Sequence, residues 1–302
     1  MRKYFLFIGL AIGALLITLA MNSPGEIDRR ATGIDRLYVF GDSLSDTGNV
    51  YRSTGKSSPP DPPYFQGRYS NGRVWVEFLA GKLGIKPDRV DNFAWGGATA
   101  GNDETVPSLL SQVREFSARE RAIDPRALAV VWIGGNDYLR GTTRVTEPLA
   151  NLSTALTSLS RLGIRRFLIV DLPDFGKIPA TCGRENASSL SAVVVAHNRG
   201  LARIIDRLDR QFAGKSQFVE FSAYSLYNAA LSHPDRFGFD NTRSACLNGK
   251  SICKHPDRFL FWDSIHPTEK AHRVTGERAY QVVEKAFWET SPTGTPVKKS
   301  KR

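Results

Sequence analysis

The chain has 302 residues, of which 41% are hydrophobic and 24% are charged, as is typical of a globular domain. Its formal net charge is +11, but the basic residues of 2–3 and 298–302 supply six of these charges and leave five for the other residues. This mild excess of positive charge comes without the interleaved aromatic and basic residues of a nucleic-acid-binding module, which excludes that class of protein. A chain of this length needs no metal or disulfide framework to fold.

The first twenty residues have the layout of a secretory signal. Two basic residues precede an uncharged run from Tyr4 to Ala20, which ends close to small residues. Its 17 residues are at the lower edge of what spans a bilayer, so an uncleaved anchor at 4–20 stays an alternative. The sequence therefore predicts a signal peptide at 1–20 and a secreted or periplasmic protein, with a membrane-anchored protein as the alternative.

Strand and helix patterns alternate along the rest of the chain. Five short apolar runs predict buried strands, at 37–40, 90–94, 127–133, 167–170 and 218–221. Apolar residues at helical spacing predict helices at 75–84, 109–116, 149–162, 189–212 and 268–288, the last with Thr268 as its N-cap. This order predicts an α/β fold of three layers, in which a mostly parallel five-stranded sheet is covered by helices on both faces.

Three further segments lack such patterns. The segment 49–71 is dense in Pro, Gly, Ser and Tyr and predicts a long loop, which in a compact domain is usually functional. The stretch 223–260 has no regular pattern, and 291–302 is a basic tail rich in Ser, Thr, Pro and Gly that we expect to be disordered. We therefore expect a single domain over 34–290.

Small and polar residues follow three of the predicted strands. Ser43 lies three residues past the first strand, Gly96 and Gly97 follow the second, and Asn136 lies three residues past the third. Ligands of parallel sheets bind beyond the carboxyl ends of the strands, so we expect these residues to meet at one edge. Neither a phosphate-binding Gly-x-x-x-x-Gly-Lys-Ser/Thr loop nor a Gly-x-Ser-x-Gly elbow occurs.

Near the other end of the chain, Asp263 and His266 are three residues apart. A serine becomes a good nucleophile when a base takes its proton and a third group orients that base, so Ser43, His266 and Asp263 predict a hydrolytic site. The other histidines either lack an acidic residue three positions earlier or lie in the last helix: His197, His233, His255 and His272. No cluster of His, Cys and Asp has the spacing of a metal site, so we predict no metal.

The three cysteines are unevenly placed. Cys246 and Cys253 are seven residues apart with Asn-Gly between them, and a disulfide can close this loop in an exported protein. Cys182 is then left as a buried or free thiol.

Four motifs occur in a fixed order: GDSLSDTGN at 41–49, NFAWGGA at 92–98, GGND at 134–137 and DSIHP at 263–267. Together they resemble the GDSL (SGNH) family of esterases and lipases. The segment GRYSNGR at 67–73 and the sequence FWD at 261–263 are similar to a subgroup of secreted lipases, phospholipase/acyltransferases and plant-type esterases. The resemblance implies the SGNH-hydrolase form of the predicted fold.

The resemblance also implies a role for each matching residue. Ser43 corresponds to the nucleophile that forms an acyl-enzyme, His266 to its base and Asp263 to the group that orients the base. The backbone N–H groups of Ser43 and Gly97 and the Asn136 side chain correspond to the oxyanion hole. Gly97 is preferred to its neighbour because it is the sixth residue of the second motif.

The implied activity is serine-dependent hydrolysis of carboxylic esters without a cofactor. The alternatives are an acyltransferase, which passes the acyl group of a phospholipid or other donor to an alcohol, a polysaccharide O-deacetylase, and an inactive binding module. The implied partner is a small-molecule or lipid ester, not a nucleic acid, and the protein is expected to be a monomer, with peripheral membrane contact through the basic tail left open. Acyl-chain length depends on pocket walls expected from the segments 50–71 and 223–260, and the aromatic residues of the first segment either line that pocket or pin the loop: Tyr64, Phe65 and Tyr69.

Overall fold

A computed structural model describes residues 32–101, 105–120 and 122–288, so the predicted signal peptide and basic tail lie outside the described residues. Five parallel strands form one sheet in the order β2-β1-β3-β4-β5. Their bounds are β1 Arg36–Gly41, β2 Val90–Asn92, β3 Ala127–Trp132, β4 Arg166–Val170 and β5 Gln217–Phe221. All five predicted strands and the parallel five-stranded sheet are confirmed.

Eight α-helices accompany the sheet in the described part of the chain. They are α1 Asn49–Ser53, α2 Trp75–Lys82, α3 Leu109–Arg119, α4 Gly135–Leu139, α5 Thr146–Arg161, α6 Ala187–Gln211, α7 Ala223–Ser232 and α8 Glu269–Trp288. Helices α2, α3, α5, α6 and α8 were predicted, and the Thr268 hydroxyl accepts a hydrogen bond from Ala271 N (3.3 Å), as an N-cap does. None of the helices in the described ranges is long and apolar enough to cross a membrane.

The two faces of the sheet carry separate hydrophobic cores because successive side chains of a strand point to opposite faces. Leu37 and Val39 of β1 belong to the core that includes residues of α2, α7 and α8. Tyr38 and Phe40 belong to the core that includes residues of α3 and α5. Helix α6 contributes to both cores. The predicted three-layer α/β/α architecture is therefore confirmed.

The stretch 223–260, expected to be irregular, contains short regular elements. Strands β6 Asn241–Ala245 and β9 Phe259–Phe261 pair in parallel, and β7 Leu247–Asn248 and β8 Ser251–Ile252 form an antiparallel hairpin. Cys246 and Cys253 form a disulfide beside this hairpin, whereas Cys182 is free and exposed. Short 3₁₀ helices lie at Pro87–Arg89, Pro234–Phe237 and Pro256–Arg258. Since β9 ends two residues before Asp263, this small substructure leads directly into the motif at 263–267.

Candidate active site

Ser43 lies in a tight turn immediately after β1. The Asp42 carbonyl accepts hydrogen bonds from Ser45 N and Asp46 N, both at 3.0 Å, and the Asp42 carboxyl accepts one from Leu44 N, also at 3.0 Å. The strand can lie this close to β3 only because it ends in a glycine: a Cβ on Gly41 would be 2.6 Å from a backbone oxygen of β3. The buried strand and the turn thus fix the backbone that carries Ser43.

Two buried carboxyl groups support this turn. Burial raises the pKa of Asp42 to about 7, although the hydrogen bond that its carboxyl accepts from Leu44 N lowers it. Asp46 accepts hydrogen bonds from the backbone N–H groups of Gly48 (2.7 Å), Asn49 (2.5 Å) and Gly96 (3.0 Å). Asp46 therefore connects the serine turn to the start of α1 and to the glycine loop after β2.

The structure brings Ser43, His266 and Asp263 together in one chain of contacts. Ser43 Oγ is 2.9 Å from His266 Nε2, and His266 Nδ1 is 2.8 Å from Asp263 Oδ2. The other carboxylate oxygen, Oδ1, accepts hydrogen bonds from Ile265 N (2.8 Å) and His266 N (2.7 Å), which turns the chain back on itself between the two residues. This geometry allows the imidazole to accept the serine proton while the carboxylate holds the opposite ring nitrogen.

The environment of Asp263 keeps it ionised. Burial alone would raise its pKa, but the charge of His266, the imidazole hydrogen bond and the backbone N–H groups of Ile265 and His266 outweigh burial and lower the pKa to about 2. The side chains of Asp263 and His266 are 15% and 14% exposed, so their interaction is largely shielded from water. A carboxylate is therefore present to stabilise an imidazolium at any pH near neutrality.

Two tyrosines of the 49–71 segment contact this pair. Tyr64 Oη donates a hydrogen bond to Asp263 Oδ2 at 2.8 Å, and the Tyr69 ring lies 5.2 Å from the His266 ring between centroids. Burial and the nearby Asp263 charge raise the pKa of Tyr64, which stays a donor. Sequence reasoning missed this role, since no local signal relates residues 199 positions apart. The tyrosine-rich composition of the loop was the one available sign.

The glycine loop after β2 and helix α4 lie against each other. Asn136 Nδ2 donates to Ala98 O (2.8 Å), and Arg140 Nη2 donates to Gly97 O (2.7 Å). Gly97 has φ of +83°, a conformation that favours glycine. Because Gly96 N donates a hydrogen bond to the Asp46 carboxylate, this loop also adjoins the serine turn. A side-chain amide has two N–H groups, so Asn136 retains one for a substrate oxygen.

Asp137, on the same helix, braces the loop: its Oδ2 accepts from Ala100 N at 3.0 Å. The sequence did not predict this five-residue helix. Gln112 of α3 was also missed. Its side chain accepts from Gly41 N (2.9 Å) and donates to Gly41 O (2.8 Å), which holds the end of β1.

An apolar pocket of about 30 Å³ opens beside Ser43. Ser43 and Asn136 contribute to its wall, and its apolar side chains are those of Leu44, Leu139, Pro173, Phe175, Ile178, Tyr227, Phe261, Ile265 and Pro267. No residue of 50–71 lines it, so the expectation that this segment forms a wall of this pocket was wrong, whereas 223–260 contributes Tyr227. The loop tyrosines contact the imidazole and carboxylate instead.

The four other histidines make no hydrogen bond to Ser43 in the part of the chain that the structure describes. His197 is buried, its Nδ1 lies 2.7 Å from Tyr138 Oη, and burial lowers its pKa to about 4. His272 is buried, accepts from Trp75 N at 3.3 Å, and has its pKa lowered by burial to about 3. His233 and His255 directly precede 3₁₀ helices. In the described ranges, no three His, Cys, Asp or Glu side chains are grouped to hold a metal ion.

Comparisons with known proteins identify the family of the chain. The family model for "GDSL-like Lipase/Acylhydrolase" matches residues 37–279. The chain is 25% identical over 347 aligned positions to a phosphatidylcholine-sterol acyltransferase of Aeromonas hydrophila, covering 95% of this chain and 98% of the relative. It is 26% identical over 342 positions to GDSL esterase/lipase 5 of Arabidopsis thaliana, covering 88% of each.

Among solved structures, an alpha/beta hydrolase enzyme from the metagenome of Lake Arreo matches 84% of this chain and 96% of its own, with a TM-score of 0.50 and 16% identity, which is a likeness of fold.

A parallel sheet with serine, histidine and aspartate in contact at its carboxyl edge is typical of serine hydrolases. The family match extends over most of the chain, and the chain therefore belongs to the GDSL-like lipase/acylhydrolase family. It is an ester hydrolase of the esterase/lipase type, as the motifs predicted.

Proposed function

We propose that the protein hydrolyses carboxylic esters through an acyl-enzyme on Ser43. The observation that carries this proposal is the continuous contact from Ser43 Oγ to His266 (2.9 Å) and from His266 to Asp263 (2.8 Å). His266 Nε2 takes the hydroxyl proton while Oγ attacks the ester carbonyl, and the resulting imidazolium returns the proton to the departing alkoxide. Water then attacks the acyl carbonyl while the same nitrogen takes one of its protons, and when this second intermediate collapses the bond to Ser43 Oγ breaks, Oγ recovers the proton from Nε2 and the acid leaves.

The tetrahedral intermediates need donors for their oxyanion, and we assign this role to the N–H groups of Ser43 and Gly97 and the Asn136 side chain. Support comes from the shared pocket of Ser43 and Asn136 and from the loop contacts that tie Gly97 to α4. These donors are held before substrate binds, so little reorganisation is required during the reaction.

The first test replaces Ser43 by Ala. We expect hydrolysis of p-nitrophenyl acetate and labelling by a fluorophosphonate probe to fall to background, with an unchanged far-UV circular dichroism spectrum. The matched control is Ser57→Ala, which removes an exposed hydroxyl of the 49–71 segment and should keep full activity. Activity retained in the Ser43 variant would reject the assignment, and a probe-inert wild-type chain would favour a binding module.

Transfer of the acyl group to an alcohol is the second candidate, because the Aeromonas relative is named as an acyltransferase and matches nearly the whole chain. The two activities share the acyl-enzyme and differ in whether water or an alcohol attacks it. Product analysis with and without an added alcohol separates them: an ester product identifies the transferase, and free acid alone identifies the hydrolase. A polysaccharide O-deacetylase would release acetate from acetylated glycans in the same assay.

We further propose that the protein is exported and acts as a monomer. The basic start and uncharged run of 1–20 support export, as does the Cys246–Cys253 disulfide, since such bonds persist in oxidising compartments. Cell fractionation and N-terminal sequencing of the mature protein test export and cleavage together. Gel filtration tests the monomer, and flotation with anionic vesicles tests peripheral contact through the basic tail.

A further inference from the structure

The apolar pocket beside Ser43 is small. An apolar cavity of about 150 Å³ holds one benzene ring, so the 30 Å³ of this pocket accepts only a small apolar group. Its wall includes Leu44, which follows the serine, and Phe175 and Phe261, which belong to the loop after β4 and to β9. An acyl chain attached to Ser43 would enter this space, because the pocket adjoins the nucleophile and its wall is largely apolar.

A second apolar cavity, of about 10 Å³, lies between helices α7 and α8 and the small β6–β9 sheet. Its wall includes Leu226 of α7, Leu260 of β9 and Ala271 of α8. Of the residues that line the two cavities, Tyr227 is common to both. The Tyr227 side chain is therefore the partition between the pocket at the nucleophile and further apolar space.

Tyr227 is held in place by its ring and not by its hydroxyl. The residue is 6% exposed, and its Oη is buried without a hydrogen-bond partner among the described residues. Thr275 lies beside the phenol, outside hydrogen-bonding geometry, and donates its own hydroxyl to Ala271 O at 2.9 Å. An unpaired buried hydroxyl costs free energy, so the contribution of Tyr227 to this site is the volume of the ring.

We propose that Tyr227 closes the acyl pocket and restricts the enzyme to esters of short acids, with acetyl and propionyl groups preferred over hexanoyl and longer chains. This inference rests on the proposed function of Ser43. A longer chain meets the Tyr227 ring before it reaches the second cavity, and each methylene that cannot be accommodated costs transition-state binding. A mismatch of one methylene in a hydrophobic pocket changes kcat/KM by about 10–200-fold.

The test is a series of p-nitrophenyl esters from acetyl to decanoyl, with kcat/KM measured for the wild type, Tyr227→Ala and Tyr227→Phe. We expect the wild type to favour acetyl over octanoyl by at least about tenfold. Tyr227→Ala joins the two cavities and should raise the octanoyl/acetyl ratio by about tenfold or more. Tyr227→Phe keeps the ring and removes the unpaired hydroxyl, so its ratio should equal that of the wild type.

The wild type and the Tyr227 variants can each contradict the inference. An octanoyl rate equal to the acetyl rate in the wild type overturns the inference, and so does an unchanged ratio in a natively folded Tyr227→Ala; both leave the proposed function intact. If Tyr227→Ala does not fold, Tyr227→Leu opens part of the same partition and must show a shift in the same direction. A wild type that cleaves no ester of any length and takes no fluorophosphonate label overturns the proposed function and this inference with it.

Discussion

Replacing Asp263 by Asn is expected to lower kcat by about 10²–10⁴ without unfolding the protein. Among the described residues, four groups bond this carboxylate and all are donors: Ile265 N and His266 N at Oδ1, and His266 Nδ1 and Tyr64 Oη at Oδ2. An amide offers only one oxygen to these four donors, so its NH₂ group must face one pair of them.

The two orientations of the amide differ in free energy. If NH₂ faces the backbone, two N–H groups that cannot rotate lose their acceptor, at about 1–3 kcal/mol each. If NH₂ instead faces the two groups that bonded Oδ2, the Tyr64 hydroxyl can rotate and accept a hydrogen bond from it. His266 can then accept at Nδ1 by carrying its ring proton on Nε2. The second arrangement is favoured by about 2–6 kcal/mol, which is a factor of about 30 to 3 × 10⁴. In that tautomer Nε2 cannot take the proton of Ser43.

The assay is kcat on p-nitrophenyl acetate, with the melting temperature followed by circular dichroism. Asp257→Asn is the matched control, since Asp257 is exposed in the 3₁₀ helix that precedes β9. We expect it to keep wild-type turnover. If Asp263→Asn retained more than about a tenth of wild-type kcat while natively folded, the argument from the four donors would be refuted.

Three further outcomes are expected. Tyr64→Phe removes one of two donors to Asp263 Oδ2 and should lower both the melting temperature and kcat/KM, the latter by about tenfold, since a hydrogen bond to a charged group contributes about 1.5–3 kcal/mol; wild-type kinetics would show that the contact does not contribute to turnover. Asn136→Ala should lower kcat by about 10²–10³ with little change in KM, and an effect on KM alone would contradict an oxyanion role. Asp42 has a pKa of about 7 when folded against a reference of 3.8, so the folded state binds the extra proton and loses stability as pH rises from about 4 to 7. Urea unfolding across this range should show a smaller loss for Asp42→Asn than for the wild type, and equal losses would mean that Asp42 is ionised.

The sheet could be predicted because the signal of each strand is local, and the chain of three residues could be predicted because it lies in motifs that occur in a fixed order. Each strand of the sheet is a short apolar run, and a parallel sheet places the residues that follow such runs at one edge. Ser43 and Asn136 both follow strands, so their shared pocket was foreseeable. Asp263 and His266 are three residues apart, which a single turn can bring together.

The parts that could not be predicted depend on distant contacts. Helix α4 has five residues, begins with Gly135 and follows a second glycine, so propensity gives no sign of it. Tyr64 meets Asp263 across 199 positions, and Tyr227 meets the serine pocket from a segment without a clear pattern. The walls of the pocket come from five separate parts of the chain, and their arrangement is a property of packing, not of any one motif.

The contact between Ser43 and His266 joins residues 223 positions apart, one after the first strand and the other just before the last helix. During synthesis the nucleophile emerges early, but its base is among the last parts of the fold to leave the ribosome. Helix α8, which packs against α2, follows later still. A nascent or truncated chain that stops before residue 266 therefore carries an inert serine. Esterase activity arises only when the segments that carry Ser43 and His266 have come into contact.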